Sequence, residues 1–254
     1  MYLRVVLVVA LLAPLAASGG AADTVPAARA LLAAWHEDPA RIDRARAMLE
    51  AAVAADAAPD TLVELSRVWF LTGDFRARDE QERLAAYQRG SEAARRATTA
   101  APRNDRAHLW LALNTGRTAE LRGVLRSLTL VNTVREEAQA VLRLNPRNAE
   151  GLILAASLAA QMPGFLGGDR VKAEALFKRA LEVDPTQTGG RLELARLYLA
   201  SRRWRDAERE LQRVAAEPAP SDRPRWTVSE RPRARALLAE LYERGRLPAP
   251  PQSP

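Results

Sequence analysis

A chain of 254 residues that is 48% hydrophobic but only 5% aromatic, with alanine and leucine recurring at helical intervals, points to an all-α architecture. It has no cysteine, which excludes a disulfide framework, a thiolate metal site, a cysteine nucleophile and a lipidated cysteine. The net charge is +7, and Lys172 and Lys178 are the only lysines among 38 basic residues; this arginine bias fits a GC-rich genome better than a polyanion-binding surface, and no nucleic-acid partner is expected.

Residues 1–22 have the layout of a secretory signal peptide: Arg4 in a positive n-region, an apolar stretch over 5–17, and small residues over 16–22 for cleavage. The expected product is periplasmic, exported by a cleavable signal and not a lipoprotein. The alternative is an uncleaved anchor, against which stand Pro14 and the shortness of the apolar run.

Residues 23–246 read as one helical-repeat domain. The repeat is clearest over 162–185, where small Ala173, large Phe177, small Ala180 and Pro185 fall at offsets of four, three and five. On a helix this puts small and bulky side chains on one face: the small ones let a neighbouring helix approach, the ring fills the gap, and proline turns the chain. The spacing recurs at Gly90, Ala94, Ala97 and Pro102, at Val134, Ala138, Val141 and Pro146, and in degenerate form at Ala45, Leu49, Ala52 and Ala57. Each set marks the second helix of a hairpin.

The first hairpin, over 25–35 and 39–55, is degenerate, as expected where an array ends. The second opens at Pro59 with Leu62, Leu65, Ser66 and Trp69 at helix spacing, and Gly73-Asp74-Phe75 is expected to make its turn. Roughly twelve residues beyond a 34-residue repeat precede Gly90 and, being charged over 76–83, read as a solvated extension of the second helix. In the third hairpin roughly ten extra residues make 121–144 a long second helix; in the fourth, from Ala149, roughly five lie in the loop over 163–169. The fifth, over 188–220, has no insertion. A loop over 218–225 follows, Ser229 and Pro232 open a last helix over 233–244, and the proline-rich tail over 247–254 is expected to be disordered.

Leu194, Ala195, Tyr198, Ala207 and Leu211 match the tetratricopeptide pattern. The expected fold is therefore an all-α, tetratricopeptide-like helical-hairpin array, an α-solenoid, with enlarged intra-repeat insertions and a C-terminal capping helix. Three segments narrow the resemblance: AHLWLALNTG over 107–116, RSLTLVNTVREEAQAVLRLNP over 126–146, and MPGFLGGDRVKAEALFKRALEVDP over 162–185. Together they resemble the T component associated with tripartite ATP-independent periplasmic (TRAP) transporters, over about residues 59–216, with the Pro-x-x-x-Gly-Gly-Asp loop the distinctive motif. The resemblance implies a helical array around an apolar cleft, a ring-like trimer, and a partnership with the solute-binding component of a transporter for an apolar or organic-acid ligand. The sequence departs from the family in lacking a lipobox cysteine.

First-helix positions form the inner face of such an array. They select Val63, Arg67, Phe70 and Leu71 in the second unit, Leu109 and Leu113 in the third, Ile153 in the fourth, and Leu192, Arg196 and Leu199 in the fifth. The expected ligand-binding groove is unusually apolar, with Arg67 and Arg196 placed to hold a carboxylate at its rim. The competing reading is that inserted helices or the tail fill this groove as core. Trp110 and Asn114, four apart, either face one cavity or serve as a packing tryptophan and a structural amide. Pro163, Gly164, Phe165, Gly167, Gly168 and Asp169 read either as a tight structural turn, with Asp169 capping the next helix, or as a ligand contact. The arginines over 202–205 and 223–235 either meet an acidic protein or anionic lipid or form a solvated face.

His36 and His108 are the only histidines, lie in different units and lack the spacing of a helical zinc pair, so no catalytic residue, metal or cofactor is assigned. The expected function is a non-enzymatic periplasmic binding scaffold that partners a solute-binding protein in uptake of an apolar or organic-acid ligand. The alternative is a general tetratricopeptide adaptor for protein–protein interaction in the cell envelope. A closed apolar cavity favours the first; an open groove lined with Asn and Arg favours the second.

Overall fold

A computed structural model describes residues 21–247; most of the signal segment and all of the tail beyond Leu247 lie outside the described residues. Five hairpins follow in order: α1 (Ala21–Ala33) with α2 (Ala40–Ala55), α3 (Pro59–Phe75) with α4 (Glu80–Ala100), α5 (Asp105–Arg122) with α6 (Leu128–Leu144), α7 (Ala149–Gln161) with α8 (Arg170–Val183), and α9 (Thr188–Ala200) with α10 (Trp204–Ala216). A short α11 (Arg223–Arg225) then runs through a π-helical stretch, Trp226–Glu230, into α12 (Arg231–Glu243), which packs on α10 as the cap. Among the described residues all regular structure is helical, as the periodicity predicts, and no helix is long and apolar enough to cross a membrane.

The turns follow from local chemistry. Helices α4, α6 and α8 stop just before Pro102, Pro146 and Pro185. The Asn104 side chain then accepts hydrogen bonds from the backbone N–H groups of Arg106 and Ala107, and Asn148 from Gly151, so the first two of these proline turns end in a capping amide. Such a cap contributes about 1 kcal/mol.

The small/large/small faces are buried: Ala94 and Ala97, Ala138 and Val141, and Ala173, Phe177 and Ala180 all pack inside. Four core clusters tie the first hairpin to the second, the second to the third, the fourth to the fifth and the fifth to the cap, through Trp35 and Leu49 with Trp69, Phe70 and Tyr87 with Trp110, Phe177 with Tyr198, and Leu192 and Leu211 with Leu241. Each unit thus depends on its neighbour for burial.

Three elements differ from the sequence expectation. Gly73 and Asp74 lie inside α3 instead of making a turn, because a Cβ on Gly73 would come within 2.4 Å of the Tyr87 ring; this glycine exists for close helix contact. The chain over 76–79 makes the turn, and Asp79 caps α4 by accepting from the Glu82 N–H. In the third hairpin the extra residues lengthen α5 to Arg122, where Gly123 at φ +86° breaks the helix before the 3₁₀ turn Val124–Ser127. The C-terminal helix starts ten residues before 233: Asp222 caps it, Pro224 sits in its first turn, and the π-widened stretch beside Pro232 makes room for a proline ring within a continuous helix.

Candidate functional site

The first helices share one side of the array, and charged residues converge there. Glu64 on α3 is fully buried and accepts hydrogen bonds from Arg29 of α1 at 2.8 Å and Arg106 of α5 at 2.6 Å, with Arg67 at 3.5 Å. Burial alone would raise its pKa; the positive charges of Arg67 and Arg106, with the hydrogen bonds from Arg29 and Arg106, outweigh burial and hold the carboxyl below its ordinary value.

Glu150, in the first turn of α7, is open to solvent yet walled in by protein. That enclosure raises its pKa, Arg67, Arg225 and Arg106 oppose the rise, and Asp222 adds to it. This exposed carboxylate is within electrostatic reach of arginines on α3, α5 and α11.

Asp74, near the end of α3, is a second hub. The Tyr87 hydroxyl of α4 donates to it at 2.6 Å, Arg117 of α5 lies at 3.5 Å, and Arg225 of α11 donates at 3.2 Å. Burial and the neighbouring Asp74 charge push the Tyr87 phenol above its ordinary pKa. The Arg225 guanidinium also lies 5.4 Å from the Phe70 ring centre and 5.5 Å from that of Phe75, while Arg117 lies 5.5 Å from Phe70.

The C-terminal segment is fastened so as to aim Arg225 at α3. The Thr188 hydroxyl of α9 donates to buried Glu230 at 2.6 Å, and the Trp226 indole donates to the Val214 carbonyl of α10 at 2.7 Å. Glu230 has a raised pKa because burial outweighs the Thr188 hydrogen bond and the Arg225 charge. Further along α12, Arg233 has its pKa lowered by partial burial and by the charges of Arg196 and Arg117, against the pull of Glu193. The inner surface is therefore of mixed charge, with guanidiniums from α3, α5, α9, α11 and α12.

The structure places the expected groove residues differently. Val63, Leu71, Leu109 and Leu192 are buried at 1 to 4% exposure inside the helix contacts, so they offer little surface to a ligand, and Phe70, also at 4%, is covered by helix contacts and by the guanidiniums of Arg117 and Arg225. Half-buried Ile153 packs over Gly190, where an added Cβ would meet it at 2.6 Å; Leu113 joins the Phe70 cluster, and Leu199 bridges the last two clusters. The reason is tight helix approach: these positions face the adjoining first helix more than the open side. Arg67 and Arg196 remain half-buried on the inner side, already paired with Glu64 and Glu193.

Trp110 meets Phe70 edge-on at 5.6 Å, and the Asn114 amide donates to the Ser66 carbonyl, the Ser66 hydroxyl and the Trp110 carbonyl, with no exposure. Both therefore weld α3 to α5. The loop after α7 leaves Pro163, Gly164, Phe165 and Gly167 exposed, Phe165 at 84%. Its form is fixed by backbone bonds from Gly168 N–H to the Pro163 carbonyl and from Asp169 N–H to the Ala159 carbonyl, and Asp169 caps α8. A cleft of about 430 Å³ lies beside this loop, lined by Ala159, Met162, Gly168 and Arg170 among others. His108 does meet an acid, Glu137, through Nδ1 at 2.5 Å, but its Nε2 is spent on the Pro102 carbonyl at 2.9 Å, which leaves it no nucleophile to activate.

Sequence reasoning missed Glu64, Arg106, Arg117 and Glu150, and it read Asp74 only as a turn residue and Arg225 only as one of the arginines over 223–235. The available signal was the acid and arginine pairing at inner positions of successive first helices, such as Glu64 with Arg67.

The hairpin order and the first helices turned to one inner side define the class: a tetratricopeptide-like helical-repeat array, a type that generally serves as a non-enzymatic scaffold and interaction platform. Residues 165–227 match the tetratricopeptide repeat family model, and residues 32–156 match the model described as regulator of microtubule dynamics protein 1-3. Among solved structures the chain is similar to TTC0263, a thermophilic tetratricopeptide protein of Thermus thermophilus, at 21% identity and TM-score 0.66, covering 87% of this chain and 100% of that one. It is also similar to pilF of Pseudomonas aeruginosa, at 17% identity and TM-score 0.51, covering 89% and 93%. These likenesses are of fold. No curated protein matches the chain in sequence.

Proposed function

We propose that this protein is an adaptor that holds an extended, mixed-charge segment of a partner polypeptide on its inner face. The observation that carries the reading is the chemistry of that face: Glu150 stands open to solvent among Arg67, Arg106 and Arg225, while the apolar side chains that would have lined a solute cavity are consumed in helix contacts. A polypeptide presents the alternating donors, acceptors and charges that such a surface can pair; an apolar solute presents none. Hand-over of an apolar or organic-acid ligand to a periplasmic solute-binding protein, the role implied by the transporter-associated resemblance, finds less support in this surface, where an organic acid would have to compete with the carboxylates already paired to Arg67, Arg196 and Arg225.

The signal layout of residues 1–22 supports action outside the cytoplasm, with an envelope protein as the partner. The test is site-specific photo-crosslinking in the cell, with the reactive side chain at position 150 on the inner face and, as control, at position 165 on the outer loop. A polypeptide captured at 150 and not at 165 is the expected result. Native mass spectra that instead show a small apolar molecule, removable by organic extraction, would return the protein to solute handling.

A further inference from the structure

We propose that Asp74, Phe70 and Phe75 form a guanidinium pocket on the inner face, that Arg225 fills it as a built-in stand-in for a partner, and that an arginine-bearing segment binds by displacing Arg225. The inference rests on the adaptor reading and names what that face recognises. The pocket has the two parts that arginine recognition needs, a carboxylate at 3.2 Å and aromatic rings with centres at 5.4 and 5.5 Å. Its present occupant belongs to the cap, 151 residues away in sequence, so the same contact closes the array on itself.

Both halves of the contact can separate without stranding a charge. When Arg225 leaves, Asp74 keeps the Tyr87 hydroxyl at 2.6 Å and Arg117 at 3.5 Å. Arg225, once free, keeps Asp222, at 3.7 Å on its own helix turn. An ion pair whose loss buried an unpaired carboxylate would be a permanent weld; one with a second partner on each side is exchangeable. Arg225 also remains partly exposed, 24% for its side chain, so an incoming guanidinium can reach the pocket edge. The cost of displacing a tethered competitor lowers the apparent affinity of the partner by the fraction of time the pocket is free.

The chain contains no cysteine, which permits paired spin labels at Gln81→Cys and Val228→Cys, both exposed and outside the pocket. Pulsed electron resonance should give one short distance for the otherwise unaltered chain and a longer, broader one for Arg225→Ala. An acetylated tri-arginine amide should open the unaltered chain saturably at fixed ionic strength and bind Arg225→Ala at least about tenfold tighter. Arg225→Lys, which keeps the charge but not the planar fork, should fall between. Asp74→Asn, with helicity checked by circular dichroism, should lose the peptide.

An unchanged distance in Arg225→Ala, peptide binding no tighter in that variant, or equal opening by a tri-glutamate amide would each overturn the proposal. The two readings fail separately. A polypeptide captured at position 150 with an unmoved label distance would leave the adaptor and remove the pocket; peptide-driven opening with no captured polypeptide would leave the pocket and remove the adaptor.

Discussion

The guanidinium of Arg225 lies 3.2 Å from the carboxylate of Asp74, joining the cap to the second hairpin across 151 residues of sequence. Neighbour-to-neighbour packing leaves a repeat array free to uncurl, since each unit touches only the next. This contact skips the three intervening units and so adds a restraint that neighbour packing does not supply. Breaking it removes one charge-assisted hydrogen bond and two cation–π contacts, each partner keeping a fallback, so Arg225→Ala should cost about 1–2 kcal/mol. The loss should be local to the cap: hydrogen exchange over residues 223–243 should accelerate while α3 to α6 keep their protection. Uniform acceleration across the array would mean that closure supports every hairpin.

Glu64, nearer the start of the same helix α3, is the counterpart. Its three arginine partners each retain 28 to 43% side-chain exposure and can turn to water when the acid is lost. Glu64→Gln should therefore cost less than breaking a fully buried pair, about 2 kcal/mol, measured as a fall in urea midpoint at neutral pH.

The two buried carboxyls pull the pH profile in opposite directions. Glu64 has a folded pKa below its ordinary 4.5, so below that value the unfolded chain binds more protons and stability falls as the pH falls through the folded pKa. Glu230 has a folded pKa above 4.5, so the folded chain binds more protons in that window and stability falls as the pH rises through it. Glu230→Gln keeps an acceptor for the Thr188 hydroxyl and removes the charge. It should raise the unfolding midpoint at pH 7 and leave it unchanged at about pH 4, below the ordinary carboxyl pKa. An equal effect at both would place its origin in packing.

The hairpins are legible in sequence because local chemistry writes them. Offsets of four, three and five from small to large to small to proline describe a buried face and its stop, and Ala173, Phe177, Ala180 and Pro185 behave as that spacing dictates. Gly73 is misread from sequence because a glycine that makes a turn and one that admits a neighbouring ring look alike; only Tyr87, on the next helix, distinguishes them. The inner face is only partly legible, for a related reason. Position within a hairpin says which residues point away from their own partner helix, but Phe70 and Leu109 are covered by packing that this position does not encode. The Arg225 contact has no local signature, since periodicity does not encode curvature.

Gly90 tests the close approach that the small positions provide. Alanine favours a helix over glycine by about 1 kcal/mol. Yet a Cβ at 90 would lie 2.3 Å from Asn114 Oδ1, and that amide is fully buried and held by its donations to Ser66 and to the Trp110 carbonyl. Strain should win, so Gly90→Ala should destabilise by about 1–3 kcal/mol in chemical unfolding. Relief by Asn114→Ala in the double variant would locate the clash at that amide.

The loop after α7 puts a position that tolerates no side chain a few residues from one that is open to solvent. A Cβ on Gly168 would meet the Met162 carbonyl oxygen at 1.8 Å, and backbone, unlike a flexible side chain, has no cheap way to move. Gly168→Ala should therefore break the Pro163 and Ala159 hydrogen bonds that shape the loop and cost about 2 kcal/mol or more. Phe165, 84% exposed, makes no comparable demand, and Phe165→Ser should leave stability within about 0.5 kcal/mol. Measuring both variants by urea unfolding, with partner capture at position 150 as a second readout, separates the roles. Capture at position 150 should be unchanged in Phe165→Ser, as expected of a loop that only spaces α7 from α8; loss of capture at unchanged stability would bring the exposed ring into the partner site and overturn its use as a control.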